Sequence, residues 1–291
     1  MRPPPFSYAD PSTVDEALDL LAQHGDDATI LAGGQSLVPL LNFRLAQPAV
    51  IVDINRIADL AYIERRNGAL EIGTLTRQRA VERSAAVSEA CPLLGEAVAD
   101  VGHVQTRNRG TVGGSLAHAD PTAEISAAVT ALGGSLRLRS ASAERTLTPD
   151  EFFVSNLMTA IEPGEMLVAV ALPVWPAGTA TCFNEFSRRQ GDFALAGAAA
   201  ALTFGGDGRI ERAGLGLLGV GDRPFDGAAI ASELLCGEKP SEAAVQAVAE
   251  RVQSSVDPLS DIHSPADYRR HLAGVVTRRA LQGAIRRGTS G

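Results

Sequence analysis

The chain has 291 residues, about twice the length of an average domain, so two packed domains are expected rather than one. Apolar residues make up 45% and charged residues 21%, the balance of a chain with a real core, which excludes an intrinsically disordered protein. With 26 basic against 34 acidic residues the net charge is −8, which argues against a chain that works on nucleic acid or anionic lipid.

The first helix is marked by Thr13 and Glu16, a T-x-x-E capping box, with Val14, Ala17, Leu18, Leu21 and Ala22 on one face and Gly25 as its stop. An apolar strand over 29–32 runs straight into Gly33-Gly34-Gln35-Ser36. Ser36 is the predicted cap of a helix over 37–45, with Pro39 tolerated in its first turn. A strand at 50–53 completes a unit of strand, glycine loop, helix and strand.

From Ala61 the hydrophobic period shortens, and segments 62–65 and 70–72 flank Asn67-Gly68, a dipeptide suited to a tight hairpin. Helical patterns follow at 77–84 and 92–101, the second stopped by Gly102. Then comes RNRGTVGGSLAHADPTAE over 107–124, which reads as a second glycine loop feeding a helix with Asp120 as cap and Pro121 at its first position. Strands at 135–140 and 166–172 precede segment 173–178, whose VWPAG is the predicted domain boundary.

The C-terminal part opens with a strand at 182–187 and continues with runs at 194–204 and 209–220, a three-stranded antiparallel meander. Helical patterns at 228–235, 242–256 and 266–287 follow, and strands succeeded by helices predict an α+β domain. The longest apolar stretch, 193–204, is well short of the ~20 residues that cross a bilayer, so no membrane span is expected. The N-terminus MRPPPFSYAD has no apolar signal core, and Cys91, Cys182 and Cys236 are widely spaced, which reads as a cytoplasmic chain with reduced thiols. Neither CxxC nor HExxH occurs, so any metal chemistry is expected from another chain.

Gly214, Gly216 and Gly219 match G-x-G-x-x-G, but a dinucleotide fingerprint must open a helix, and Val220-Gly-Asp-Arg-Pro224 forbids one here. That segment reads as a glycine-containing strand packed under helices. The pair Ala32–Ser36 and Thr111–Ser115 carries more weight, because backbone N–H groups approach phosphate oxygens only where no Cβ intrudes. Either segment alone is more often just a turn; together they suit a ligand with a diphosphate and a long polar tail.

AGGQSLVPLL, GTVGGSLAHADPTAE and RRQGDFALA resemble the FAD-binding medium subunit of the molybdenum hydroxylases, the family of carbon monoxide dehydrogenase, quinoline oxidoreductase, nicotine dehydrogenase and xanthine dehydrogenase. The resemblance covers nearly the whole chain. It implies an α+β fold with a two-part PCMH-type FAD-binding domain over 1–176, its small lobe about 1–57 and its large lobe about 58–176. A C-terminal flavoprotein domain over 177–291, of three-stranded antiparallel sheet plus three helices, completes the implied fold.

It further implies that the FAD diphosphate is held by the main chains of Ala32, Gly33, Gly34, Gln35 and Ser36 on the first segment and of Thr111 to Ser115, with Gly113 and Gly114, on the second. Leu31, Leu37 and Gly110 flank these segments as further cofactor-binding residues. Glu124 falls where the family places an acidic acceptor for the ribityl hydroxyls, although a first-turn carboxylate also serves the helix dipole alone. Phe193 stands where the carbon monoxide enzyme has a tyrosine near the isoalloxazine and reads as a stacking ring or as core. His118 reads as a contact to the flavin edge or as a hydrogen-bonding spacer; Val101, Leu167 and Val168 read as flavin-lining or as core. Glu185 departs from the lysine common in relatives, which suggests that its side chain turns away from the flavin.

By the same resemblance, electrons reach this FAD from two [2Fe–2S] clusters of a small iron–sulfur subunit, and the substrate is oxidised at molybdopterin in a large subunit. The complex would be a dimer of heterotrimers serving an external electron acceptor. HADPTAE is closer to the quinoline and nicotine enzymes, a pointer to an N-heterocycle. A self-contained flavin reductase of the same fold superfamily and a non-catalytic nucleotide-binding module are the alternatives.

Overall fold

The structure, a computed structural model, describes residues 2–289. The N-terminal lobe contains β1 (Ser7–Ala9), α1 (Val14–His24), β2 (Ala28–Leu31), α2 (Leu37–Asn42) and β3 (Val50–Asp53). Both halves of the Thr13–Glu16 capping box form, and Gly25 ends α1. The sheet is parallel with order β1-β3-β2, so β1, which carries no periodic signal, pairs with a strand more than forty residues later. Helix α2 stops at Asn42 rather than at 45, because Arg44 enters the left-handed region with φ 58°. Ser36 is itself helical and its side chain accepts no capping bond, a correction to its predicted role.

The second lobe is built on a five-stranded sheet of β4 (Ile63–Arg66), β5 (Ala69–Gly73), β6 (Ser135–Arg139), β7 (Glu144–Leu147) and β10 (Met166–Pro173), in the order β4-β5-β10-β6-β7. The β4–β5 hairpin turns at Asn67 and Gly68, both at positive φ. Between β5 and β6 lie α3 (Gln78–Glu82), α4 (Ala85–Ala90), α5 (Pro92–Asp100), α6 (Val104–Arg109), α7 (Val112–His118) and α8 (Glu124–Leu132). The short α9 (Pro149–Phe152) and the small hairpin of β8 (Phe153–Ser155) and β9 (Met158–Thr159) complete the lobe.

Two expectations are corrected in this stretch. Gly113 and Gly114 are not in a loop but inside α7, which Thr111 caps by accepting from the Gly114 N–H at 3.0 Å. Nor does Asp120 cap the next helix: its Oδ1 is taken by Thr122 N at 2.8 Å and Thr122 Oγ1 at 2.6 Å, a local turn that delays α8 until Glu124.

The C-terminal part has β11 (Thr179–Ser187), β12 (Ala194–Phe204) and β13 (Ile210–Leu218) as an antiparallel meander, extended by the two-residue β14 (Phe225–Asp226). Helices α10 (Ala228–Leu235), α11 (Glu242–Ser255) and α12 (Ala266–Thr289) follow. Strand β12 is buried from Ala194 to Thr203, sandwiched between α8 on one face and α12 on the other. Its alanines keep both layers close. Gly214 and Gly216 on β13 are needed for the same reason, since a Cβ at either would collide with the backbone carbonyl of Ala131 or Ala127 on α8.

The lobes join at β10. A bulge between Leu167 and Ala169 disrupts its pairing with β6. Met166 and Val168 pack into the first lobe's core with Leu18, Val52, Ile54 and Leu75. Leu167 belongs to the second lobe's core.

Candidate cofactor site

A cavity of about 580 Å³ lies between the two lobes, and the C-terminal part supplies another wall through Gly191, Asp192 and Phe193. The first glycine segment follows directly from the end of β2. Gly34 sits at φ +73°, where an added Cβ would lie 3.1 Å from Val38 Cγ2. The segment is held from behind by Asn55, whose Nδ2 donates to the Ala32 carbonyl at 2.7 Å. Among the described residues, no protein acceptor takes the backbone N–H of Gly34, Gln35, Ser36 or Leu37. This run of unspent donors lines the cavity.

The second segment is arranged differently from the expectation of a bare main-chain cradle. The amides of Val112 and Gly113 donate to the carbonyls of Thr76 and Thr74, that of Gly114 to Thr111 Oγ1, and that of Ser115 to the Thr111 carbonyl. A Cβ at Gly113 would overlap the Thr74 side chain, so glycine there serves packing against the end of β5. This segment lines the cavity with Gly110, Thr111, Gly113, Gly114 and Ser115, and Thr111 and Ser115 are its hydroxyl-bearing residues.

Farther along the cavity stand Val101, His118, Glu124, Leu167 and Phe193. Glu124, the first residue of α8, is only 9% exposed. Burial pushes its carboxyl up to about 8, with its own backbone N–H pulling the other way and Glu185, Asp100 and Asp120 adding repulsion. Glu185 does not line the cavity. Its Oε2 is buried without a partner, and burial together with Asp100 pushes that carboxyl up to about 7. Phe193, by contrast, is 76% exposed at the rim, so it is not a core residue of this chain.

The structure thus gathers Ala32, Gly33, Gly34, Gln35, Ser36, Leu37, Val101, Gly110, Thr111, Gly113, Gly114, Ser115, His118, Glu124, Leu167 and Phe193 around one space. Leu31 and Val168 fall outside it. Leu31 packs behind the glycine turn, its Cδ1 3.3 Å from where a Gly34 Cβ would stand, and Val168 is turned into the inter-lobe core beside the β10 bulge. Thr74, Gln78, Thr106, Ile161, Met166 and Asp192 also line the cavity and were not foreseen. Asp192 stands within the RRQGDFALA motif beside Phe193; no local motif marks the other five, because each arrives from a separate element.

Two lobes around a cleft lined by paired glycine segments, with a third wall from a C-terminal α+β domain, define a flavin-binding protein of modular build. The family model described as "FAD binding domain in molybdopterin dehydrogenase" matches residues 4–175, and that of the "CO dehydrogenase flavoprotein C-terminal domain" matches residues 181–284. The 6-hydroxypseudooxynicotine dehydrogenase complex subunit alpha of Paenarthrobacter nicotinovorans is 41% identical over 287 residues, covering 99% of this chain and 97% of that one. Among solved structures, carbon monoxide dehydrogenase of Hydrogenophaga pseudoflava superposes with a TM-score of 0.95 at 36% identity, covering 99% of each chain. Quinoline 2-oxidoreductase of Pseudomonas putida 86 gives a TM-score of 0.92 at 37% identity, also covering 99% of each. The chain belongs to the family of FAD-binding medium subunits of the molybdenum hydroxylases. It is the FAD-carrying subunit of a multi-subunit oxidoreductase. Among the described residues, no helix is long and apolar enough to cross a membrane.

Proposed function

We propose that FAD lies along this cavity with its diphosphate against the first glycine segment and its ring system toward Val101, Leu167 and Phe193. The observation that carries this reading is the run of amides from Gly34 to Leu37 that no protein acceptor takes, in residues that line the cavity, since successive free backbone donors suit a diphosphate. Thr111 and Ser115 add hydroxyls on the facing wall. Glu124 is suited to the ribityl chain: a carboxyl whose charge is disfavoured by burial is satisfied by hydroxyl donors. The glycines admit the ligand, the apolar groups exclude water, and the buried acids limit negative charge at that end.

Bound FAD supplies chemistry that accepts electrons one or two at a time, which the side chains of this chain do not provide. Electrons come from two [2Fe–2S] clusters of a small subunit and leave to an external acceptor, while a large subunit oxidises the substrate at molybdopterin. The assembly is a cytoplasmic dimer of heterotrimers, and its substrate is an N-heterocycle. The names of the 6-hydroxypseudooxynicotine and quinoline enzymes support that substrate class.

The test uses the isolated chain loaded with FAD. Dithionite should bleach the flavin, while quinoline, nicotine or a purine should leave it oxidised until the two partner subunits are added. A chain that by itself oxidised such a substrate would replace this reading with a self-contained flavoenzyme.

A further inference from the structure

The two glycine segments belong to different lobes, so a diphosphate held between them depends on how the lobes are fixed. Their approach is very close: a Cβ on Gly33 would lie 2.5 Å from the Arg109 carbonyl oxygen and 2.9 Å from Gly110 Cα. One side chain spans this junction. Arg77 Nη1 donates to the Arg109 carbonyl at 2.5 Å, and its Nη2 donates to Asn55 Oδ1 at 2.6 Å. Asn55 in turn donates to the Ala32 carbonyl, at the head of the first segment, and is itself fixed by Asp53 Oδ1, which accepts from Asn55 N at 2.9 Å and from Asn55 Nδ2 at 2.6 Å. On its other side, Arg77 forms a β-bridge with Thr111, the cap of the second segment.

We propose that Arg77, with Asn55, is a positioning residue for FAD: a latch that sets the spacing of the two glycine segments without lining the cavity. Arg77 is not among the cavity residues, so it acts through the segments it ties. Its guanidinium is held there against its surroundings, since burial and the neighbouring Arg109 both oppose its charge and only Asp53 favours it. A planar fork is needed to reach two acceptors in different lobes at once, which a lysine ammonium does not reproduce in the same geometry. The inference rests on the proposed placement of FAD.

The test titrates FAD into the flavin-free full chain and follows flavin fluorescence, with wild type, Arg77→Ala, Asn55→Ala, the double variant and Arg77→Lys. Loss of the latch should raise the FAD dissociation constant about 10- to 100-fold in each single variant, the scale of losing charge-assisted hydrogen bonds. The double variant should be little worse than the poorer single, because both residues serve one connection. A second cavity of about 400 Å³ borders Arg77 and Asn55, which gives added guanidinium a route to the vacated position. Millimolar guanidinium should therefore restore FAD affinity to Arg77→Ala and not to Asn55→Ala, a response that a general loss of stability would not produce. Should Arg77→Ala fail to fold, Arg77→Lys carries the test through the same shift in affinity. Variants that bind FAD as tightly as wild type would overturn the latch alone; additive losses without rescue would also overturn it. A wild-type chain that bound no FAD would overturn the flavin placement and the latch together.

Discussion

Arg287, near the end of the chain, donates from Nη1 to Glu96 Oε2 at 2.8 Å across 191 residues of sequence. The same carboxylate accepts from Thr181 Oγ1 at 2.7 Å and from the Phe183 amide at 3.0 Å. One acid on α5 thus fastens the flavin-binding part to both β11 and α12.

Replacing Glu96 by Ala leaves the Thr181 hydroxyl and the Phe183 amide without their acceptor, while the Arg287 guanidinium keeps only the Thr181 carbonyl. The chain should lose about 1.5–3 kcal/mol of stability, the range for hydrogen bonds to charged groups. Urea unfolding followed by fluorescence measures this; an unchanged midpoint would mean that the contact is made good by water.

Gly34→Val should abolish FAD binding while leaving secondary structure intact. The backbone at φ +73° disfavours any β-branched residue, and the new side chain meets Val38 and Leu31 directly behind the unspent amides. Gly114→Val should act differently: an added Cβ lies 2.7 Å from Thr111 Oγ1, so it displaces the cap of α7 and costs about 1 kcal/mol for that alone. Flavin-to-protein absorbance ratios of the purified variants distinguish the two.

Glu124 gives the flavin-free chain a pH-dependent stability. Its folded carboxyl titrates near 8 against an ordinary value of 4.5, so between those values the unfolded chain releases the proton first and the native state weakens as pH rises. Below that window the contribution is fully present, and above it the contribution is gone. Glu124→Gln should flatten this slope, with a gain of about 2–4 °C in Tm at pH 8 for each kcal/mol recovered and little change at pH 4. Melting curves at the two pH values decide the matter, and parallel curves for both proteins would refute it.

FAD should be held without a covalent bond. Among the described residues, His118 is the only histidine that lines the cavity and no cysteine lines it. Acid precipitation should leave all the yellow colour in the supernatant, and flavin retained in the pellet would contradict this.

The features legible in the sequence are those set by a few neighbouring residues. Thr13 and Glu16 cap α1, and Asn67-Gly68 turns the β4–β5 hairpin, because each device is complete within its own segment. The glycine pair at 113 and 114 reads as a loop in sequence yet lies inside α7, since no local pattern reveals that Thr74 occupies the space where a Gly113 side chain would stand. Asp120-Pro121 looked like a helix start, yet Thr122 captures the aspartate first. The resemblance to a family names sixteen of the thirty-three residues that line the cavity, both glycine segments among them. It does not name Thr74, Gln78 or Asp192, and of the two readings open for Val168, flavin-lining or core, the structure packs the residue in the core beside the β10 bulge.

The glycines of β13 that let α8 lie flat against the C-terminal sheet carry a consequence for how such proteins can be recombined. Helix α8 begins with Glu124 inside the cavity, while its far turns, at Ala127 and Ala131, rest on Gly214 and Gly216. The C-terminal part is therefore a template for the cofactor pocket and not a detachable cassette. A chimera that grafts another relative's C-terminal half onto this N-terminal half would re-seat α8 and shift Glu124 with it. Only grafts that preserve small residues at both contact points on β13 would keep the pocket in register.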